Sequence, residues 1–145
     1  MTETFTAPTP GLVHAFDLIV ERGRPVIVGD IATGGRRSHV PVCGGTFEGE
    51  GLSGRLIGGG ETLLERADGV TAIEASYYIA FANGAVARCF GTGYRTADSG
   101  MRLALLFEAA KGSSVAALAT RSFVAEQAPG SSPGAGAILS ISRII

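Results

Sequence analysis

Short runs in which apolar and polar residues alternate recur along the chain, separated by glycine, and this pattern predicts many short β-strands joined by tight turns. The clearest run lies between Ala67-Asp68-Gly69-Val70 and Ala82-Asn83-Gly84-Ala85. Within it Ile73, Ala75, Tyr77, Ile79 and Phe81 fall on one face, and Glu74, Ser76, Tyr78 and Ala80 on the other. The bounding Asp-Gly and Asn-Gly pairs are those that two-residue hairpin turns require. Near the start, His14, Phe16, Leu18 and Val20 share one face, opposite Val13, Ala15, Asp17 and Ile19. Both faces carry apolar residues, which predicts strands between a barrel interior and a packed exterior rather than strands with one wet face. Ala137 to Ile145 alternates well enough to be a closing strand, and the Pro-, Gly- and Ser-rich stretch from Gln127 to Gly136 reads as a mobile loop before it. Met101 to Ala110, taken alone, has the propensity of a short helix ending before Gly112. Ser113 to Ala125 stays open between helix and strand.

Composition narrows the picture. Glycine, at 22 of 145 residues, is about twice as frequent as usual and is spread along the chain rather than gathered in a linker. The length fits one domain with its own core, expected as a barrel over residues 11–145 behind a flexible tail at residues 1–10. Twelve basic and thirteen acidic residues give a formal charge of −1, and Arg36-Arg37 is the one adjacent basic pair, so there is no electrostatic case for nucleic acid. No apolar run is long enough for a bilayer-spanning helix, so no membrane partner is expected. Met1 to Pro10 is polar and lacks a basic leader region, so a cytoplasmic location is expected, with Cys43 and Cys89 as thiols buried in strands. A mean hydropathy of +0.30 calls for a large buried fraction, an apolar cavity or an apolar subunit contact. Leu103, Leu105, Leu106 and Phe107 could supply that contact in a homodimer.

Arg36-Arg37-Ser38-His39-Val40-Pro41-Val42-Cys43-Gly44-Gly45-Thr46-Phe47-Glu48-Gly49 resembles the opening signature of the domain-of-unknown-function 3237 family, also called uncharacterised protein family 0311. The likeness continues through Leu52 to Ile57, Gly58-Gly59-Gly60-Glu61, Asp68-Gly69, Ile73 to Tyr77, Asn83-Gly84-Ala85 and Arg88-Cys89-Phe90-Gly91 to Phe107-Glu108-Ala109 and Arg121 to Ala125. It implies an all-β fold, a single antiparallel β-barrel, and makes Met101 to Ala110 a strand against its propensity. Two departures stand out. Glu61-Thr62 replaces a usual Asp-Trp, and Leu118-Ala119-Thr120 replaces a usual Trp-Leu-Asn, which implies a roomier or reshaped interior.

The chain has no Gly-x-Ser-x-Gly elbow, His-Glu-x-x-His, Cys-x-x-Cys or Walker loop, so no cofactor is expected. Gly58-Gly59-Gly60 precedes no convincing helix and reads as a barrel turn rather than a phosphate cradle. His14 and His39 are too few for a metal site unless Glu61, Glu74 or Asp17 joins them, and none is expected. What remains is a set of ionisable side chains in apolar strands. Glu74 is either a solvated exterior position or a barrel carboxylate paired with Arg36 or Arg88, able there to act as general acid or base. Tyr78, on the same face, could then donate to an oxyanion. Glu61 is either a turn carboxylate at a strand start or barrel mouth or a second acid/base, and His39 either an edge-strand residue or a proton shuttle. Arg36 and Arg88 could bind a substrate carboxylate or enolate, or simply pair with Glu74 and Glu61 as structural ion pairs. Arg22, Arg24 and Arg66 read as solvated turn charges. Two functions follow: a cofactor-free isomerase, cyclase, lyase or hydratase acting on a small hydrophobic organic molecule inside the barrel, or a carrier that holds such a molecule without turnover.

Overall fold

The computed structural model describes residues 6–129 and 137–145. Nine strands account for most of them: β1 (Leu12–Arg22), β2 (Val26–Asp30), β3 (Arg36–Gly49), β4 (Leu52–Glu65), β5 (Thr71–Phe81), β6 (Val86–Thr96), β7 (Ser99–Ala109), β8 (Phe123–Gln127) and β9 (Ala137–Ile144). The sheet order β1-β9-β8-β7-β6-β5-β4-β3-β2, with β1 also paired to β3, closes eight strands into an antiparallel barrel. β2 lies outside that ring, on the part of β3 that extends beyond β1. The expected strand over Met101 to Ala110 is β7, because every second residue there (Met101, Leu103, Leu105, Phe107) is buried. Ser113 to Ala125 divides into a 3-10 turn, η1 (Ala116–Thr120), and the start of β8. The Gln127 to Gly136 loop and the tail fall partly outside the described residues.

The two glycine hairpins form, but not as two-residue turns. The Phe81 N–H donates to the Ala85 carbonyl at 2.8 Å around Ala82-Asn83-Gly84, and the Arg66 N–H to the Val70 carbonyl at 2.9 Å around Ala67-Asp68-Gly69. Only the glycine of each loop has positive φ, at +90° for Gly84 and +82° for Gly69. Asn83 and Asp68 stay right-handed because their side-chain oxygens accept the N–H two residues on, from Ala85 at 3.0 Å and Val70 at 3.1 Å.

Gly58-Gly59-Gly60 is likewise no turn between strands. β4 runs through it, and its register with β5 shifts between Leu56 and Gly58. Gly59, two residues past the extra residue Ile57, has φ +113°, and a Cβ there would sit 2.0 Å from the Ser76 carbonyl oxygen, so that position needs glycine. The consequence of the bulge is a change of parity. Leu56 points inward before the bulge, and Glu61 points inward after it. A second irregularity in β1, between His14 and Phe16, buries Ala15 and leaves His14 outside, bonded to Asp17 at 2.9 Å.

The interior has two distinct halves. One is filled by Phe16, Phe47, Phe81, Phe107 and Phe123, with ring centroids 4.5 Å apart for Phe16 and Phe47 and 5.0 Å for Phe107 and Phe123. Val115 and Leu118, in and just before η1, join this cluster. The other half lies where β1 ends and β9 begins, and several of its inward positions carry small residues: Ala75, Gly91, Gly93, Ala125 and Ala137. The outer face is not packed, contrary to the sequence expectation, because a single closed sheet has no second layer outside it. Asp17, Glu74, Tyr78 and Leu106 are all exposed there.

Candidate functional site

Glu61 is the most deeply buried charged residue among the described residues, at 1% exposure. It stands in a row across the barrel wall with Val40 of β3, Ala75 of β5 and, through Ala75, Gly91 of β6. Both carboxylate oxygens are engaged. Arg22 donates from Nε to Oε1 at 2.5 Å and from Nη2 to Oε2 at 2.9 Å. The Tyr77 hydroxyl donates to Oε2 at 2.5 Å. Arg22 ends β1 on the inward parity of Leu18 and Val20, which is why it is buried rather than the solvated turn charge expected from sequence. Tyr77 is fully buried on the apolar face of β5.

Electrostatics follow from this burial. Desolvation pushes the Tyr77 pKa well above its ordinary value, and the neighbouring Glu61 charge and hydrogen bond push it further. Desolvation works against charge on Arg22, but its hydrogen bond and attraction to Glu61 outweigh it and raise its pKa. Cys89, beside Tyr77 in the β5–β6 register, is pushed up to about 12 by burial alone. Thus the interior holds a fixed carboxylate, a protonated phenol and a guanidinium within hydrogen-bonding distance of one another.

The other sequence candidates lie elsewhere. Glu74 and Tyr78 point outward from β5, so neither meets the lumen, and the expected pairing of Glu74 with Arg36 or Arg88 does not form. His39 is on the outer face of β3, where Nδ1 lies 2.9 Å from Thr62 Oγ1 and the ring covers Gly60. Arg88 is outside as well, donating to Ser76 Oγ and to Glu108, both at 2.9 Å, and stacking over Phe90 at 4.2 Å. Arg36 is exposed at the β3–β4 rim opposite Glu65. Cys43 is exposed and Cys89 buried, and both are free thiols, so only one of the two fits the expectation of burial. Leu103, Leu105 and Phe107 are core residues, which leaves Leu106 alone of that set on the surface.

Sequence reasoning missed Arg22 and Tyr77. The signal for Tyr77 was present, since it shares the face of Ile73, Ala75, Ile79 and Phe81. A buried tyrosine hydroxyl needs a polar partner, and Glu61 was the nearby unassigned carboxylate. A concave volume of about 950 Å³ also exists outside the barrel, bordered by Asp17, Arg102, Ala104, Glu126, Ser140 and Ser142. Its charged pair, Arg102 with Glu126 at 2.9 Å, is more than half exposed, so the chemistry points to the interior instead.

Fold and site together define a small closed β-barrel with a desolvated acid–phenol–guanidinium cluster inside it. The family model for the protein of unknown function DUF3237 matches residues 10–124, and the chain belongs to that family. The chain is 28% identical over 84 residues to a UPF0311 protein of Clostridium acetobutylicum, a match covering 57% of this chain and 53% of that protein. The match thus spans about half the length of that relative. A conserved protein of unknown function from Rhodopseudomonas palustris superposes with a TM-score of 0.82 at 21% identity, over 96% of this chain and 100% of the other. An enzyme from Penicillium herquei does so with a TM-score of 0.78 at 21% identity, over 98% of this chain and 100% of the other. At these identities the likeness establishes the fold.

Proposed function

We propose that the chain is a cofactor-independent acid/base enzyme that isomerises, cyclises, or adds or removes water from a small hydrophobic organic molecule held inside the barrel. The observation that carries this reading is the Arg22–Glu61–Tyr77 cluster, buried in the half of the barrel whose wall has several small inward residues. Glu61 is the proton acceptor. Once it takes a substrate proton, the Tyr77 hydroxyl no longer has a carboxylate to donate to and turns to a developing enolate oxygen. Arg22 holds the carboxylate in place by its two-point contact. The apolar wall favours a hydrophobic substrate, and the structural likeness to a fungal enzyme supports catalysis on this fold.

A second reading, a carrier without turnover, has one observation in its favour. Arg22 engages both oxygens of Glu61, which is also how a purely structural ion pair is satisfied. Native purification, denaturation and mass spectrometry of the released small molecules separate the two readings. The enzyme reading expects any released compound to be converted, by wild type and not by Glu61→Gln, to a product of equal mass or one differing by a water. A stoichiometric compound left unchanged on prolonged incubation would establish the carrier.

A further inference from the structure

We propose that β2 is a self-association edge: the β2 strands of two copies of this chain pair antiparallel about a twofold axis at Ile27 and join two barrels into a dimer. The inference goes beyond the interior chemistry proposed above and does not depend on it.

β2 is apolar for the place it occupies. It pairs with β3 alone, on the stretch of β3 that runs past the end of β1, so one of its edges has no strand beside it among the described residues. Val26, Ile27 and Val28 are 58%, 54% and 66% exposed, the only three consecutive large apolar side chains in water among the described residues. A free edge of this kind is a template for another strand, and folded proteins ordinarily blunt it with lysine, proline or a bulge. Here no charge interrupts the apolar run. Pro25 stands just before the strand, and Val28 is the extra residue of a bulge, with no residue opposite it on β3. These two features confine pairing to a few residues around Ile27.

The charges at its ends select the partner and the direction. Arg24 precedes the apolar run and Asp30 closes it. Both are exposed, and neither is ion-paired within the described residues, although Arg36 stands opposite Asp30 in the β2–β3 register. In an antiparallel pair centred on Ile27, Ile27 meets its own copy and Val26 meets Val28 of the partner subunit. The same register sets Arg24 beside Asp30 of the partner subunit, and symmetry repeats the contact. A parallel pair would set like charges side by side. A strand that is basic at one end, acidic at the other and β-branched between them complements its own copy run in reverse. An interface built on one strand is small, so the dimer is expected to form between roughly 10 µM and 1 mM protein.

The test is sedimentation equilibrium of the full chain at low ionic strength, where exposed charges are least screened. Wild type is expected to rise from 14.8 kDa towards twice that mass across this range. Arg24→Asp alone and Asp30→Arg alone each set like charges together in both contacts, and each should weaken the dimer by roughly tenfold. In an equimolar mixture of these two variants both contacts again join opposite charges, and a heterodimer should form about as tightly as wild type. Val28→Lys puts a charge inside the apolar run and should leave the chain monomeric. A wild type still monomeric at about 1 mM overturns the proposal. So does a dimer indifferent to both charge reversals, or a mixture no more associated than its components. Circular dichroism and a urea midpoint for each variant separate loss of the contact from loss of the fold. Should a charge-reversed variant not fold, Val28→Lys decides alone, because a dimer that survives it is held by another face.

Discussion

The two halves of the barrel share one wall and use it in opposite ways. Around Phe16, Phe47 and Phe107 the interior is packed ring against ring, and its stability comes from area removed from water and from close contact. Around Glu61 the same strands turn Ala75 and Gly91 inward alongside Ile73, Leu103 and Leu105, and enclose a carboxylate, a phenol and a guanidinium. A folded domain gains more from hydrocarbon in such a place than from a desolvated ion pair. The second half therefore sacrifices stability that the first supplies, a division expected where one end holds the fold and the other holds chemistry.

Mutations that break this contrast should differ in kind. Phe47→Ala, in the packed half, is expected to cost about 3–5 kcal/mol in urea unfolding, through lost burial and the cavity left behind. Arg22→Met should cost a similar amount, on the order of 3–5 kcal/mol, because it strands the Glu61 charge in the interior. The sharper observation is the double variant. Arg22→Met/Glu61→Gln removes the charge yet keeps an acceptor for Tyr77, and should recover a large part of the loss. No second substitution of comparable size near Phe47 should do the same.

Gly91→Ala comes next. Its methyl would collide with the Ala104 carbonyl, and the strained packing should cost about 1–3 kcal/mol by the same measurement.

A smaller effect lies in alkaline solution. Cys89 moves from 9.0 when unperturbed to about 12 in the fold, so the unfolded chain releases this proton first and stability falls as pH rises from about 9 towards 12. Tyr77, raised well above its ordinary 10.0, adds a second loss with the same sign that begins near that value. Thermal melts across this range should flatten in Cys89→Ala, and further when Tyr77→Phe is added.

The smallest effects belong to the outer wall. Glu74→Gln, Tyr78→Phe and His39→Ala are expected to stay within about 0.5 kcal/mol of wild type and to leave any turnover unchanged. A thiol reagent should label exposed Cys43 in the native protein and reach Cys89 only after unfolding.

Much of the barrel was legible because period-2 alternation and glycine punctuation are local signals. β5 reads directly from its sequence, face by face. The site was harder, for reasons visible in individual residues. Glu61 could be flagged as an unusual carboxylate, but its direction depends on the bulge at Ile57, and one inserted residue exchanges inside for outside. Glu74 looks as buried as Glu61 in sequence, yet its strand has no such bulge and its parity puts it in water. Arg22 reads as a turn charge because it is followed by Gly23, Arg24 and Pro25; nothing local reveals that β1 carries its inward face through to that residue. The hairpins were placed correctly, while their turn type depended on side-chain oxygens of Asp68 and Asn83 that bond forward and so favour a right-handed first step.

The most direct test of acid/base work by Glu61 is proton exchange at carbon. The protein, wild type or Glu61→Gln, is incubated in D₂O with the small molecules extracted from its native preparation, and carbon-bound deuterium is followed by mass spectrometry and NMR. Wild type should place deuterium at one carbon of a single compound, Glu61→Gln should not, and Glu74→Gln should behave as wild type. Equal incorporation by wild type and Glu61→Gln, or incorporation lost in Glu74→Gln instead, would contradict the placement of the chemistry inside the barrel.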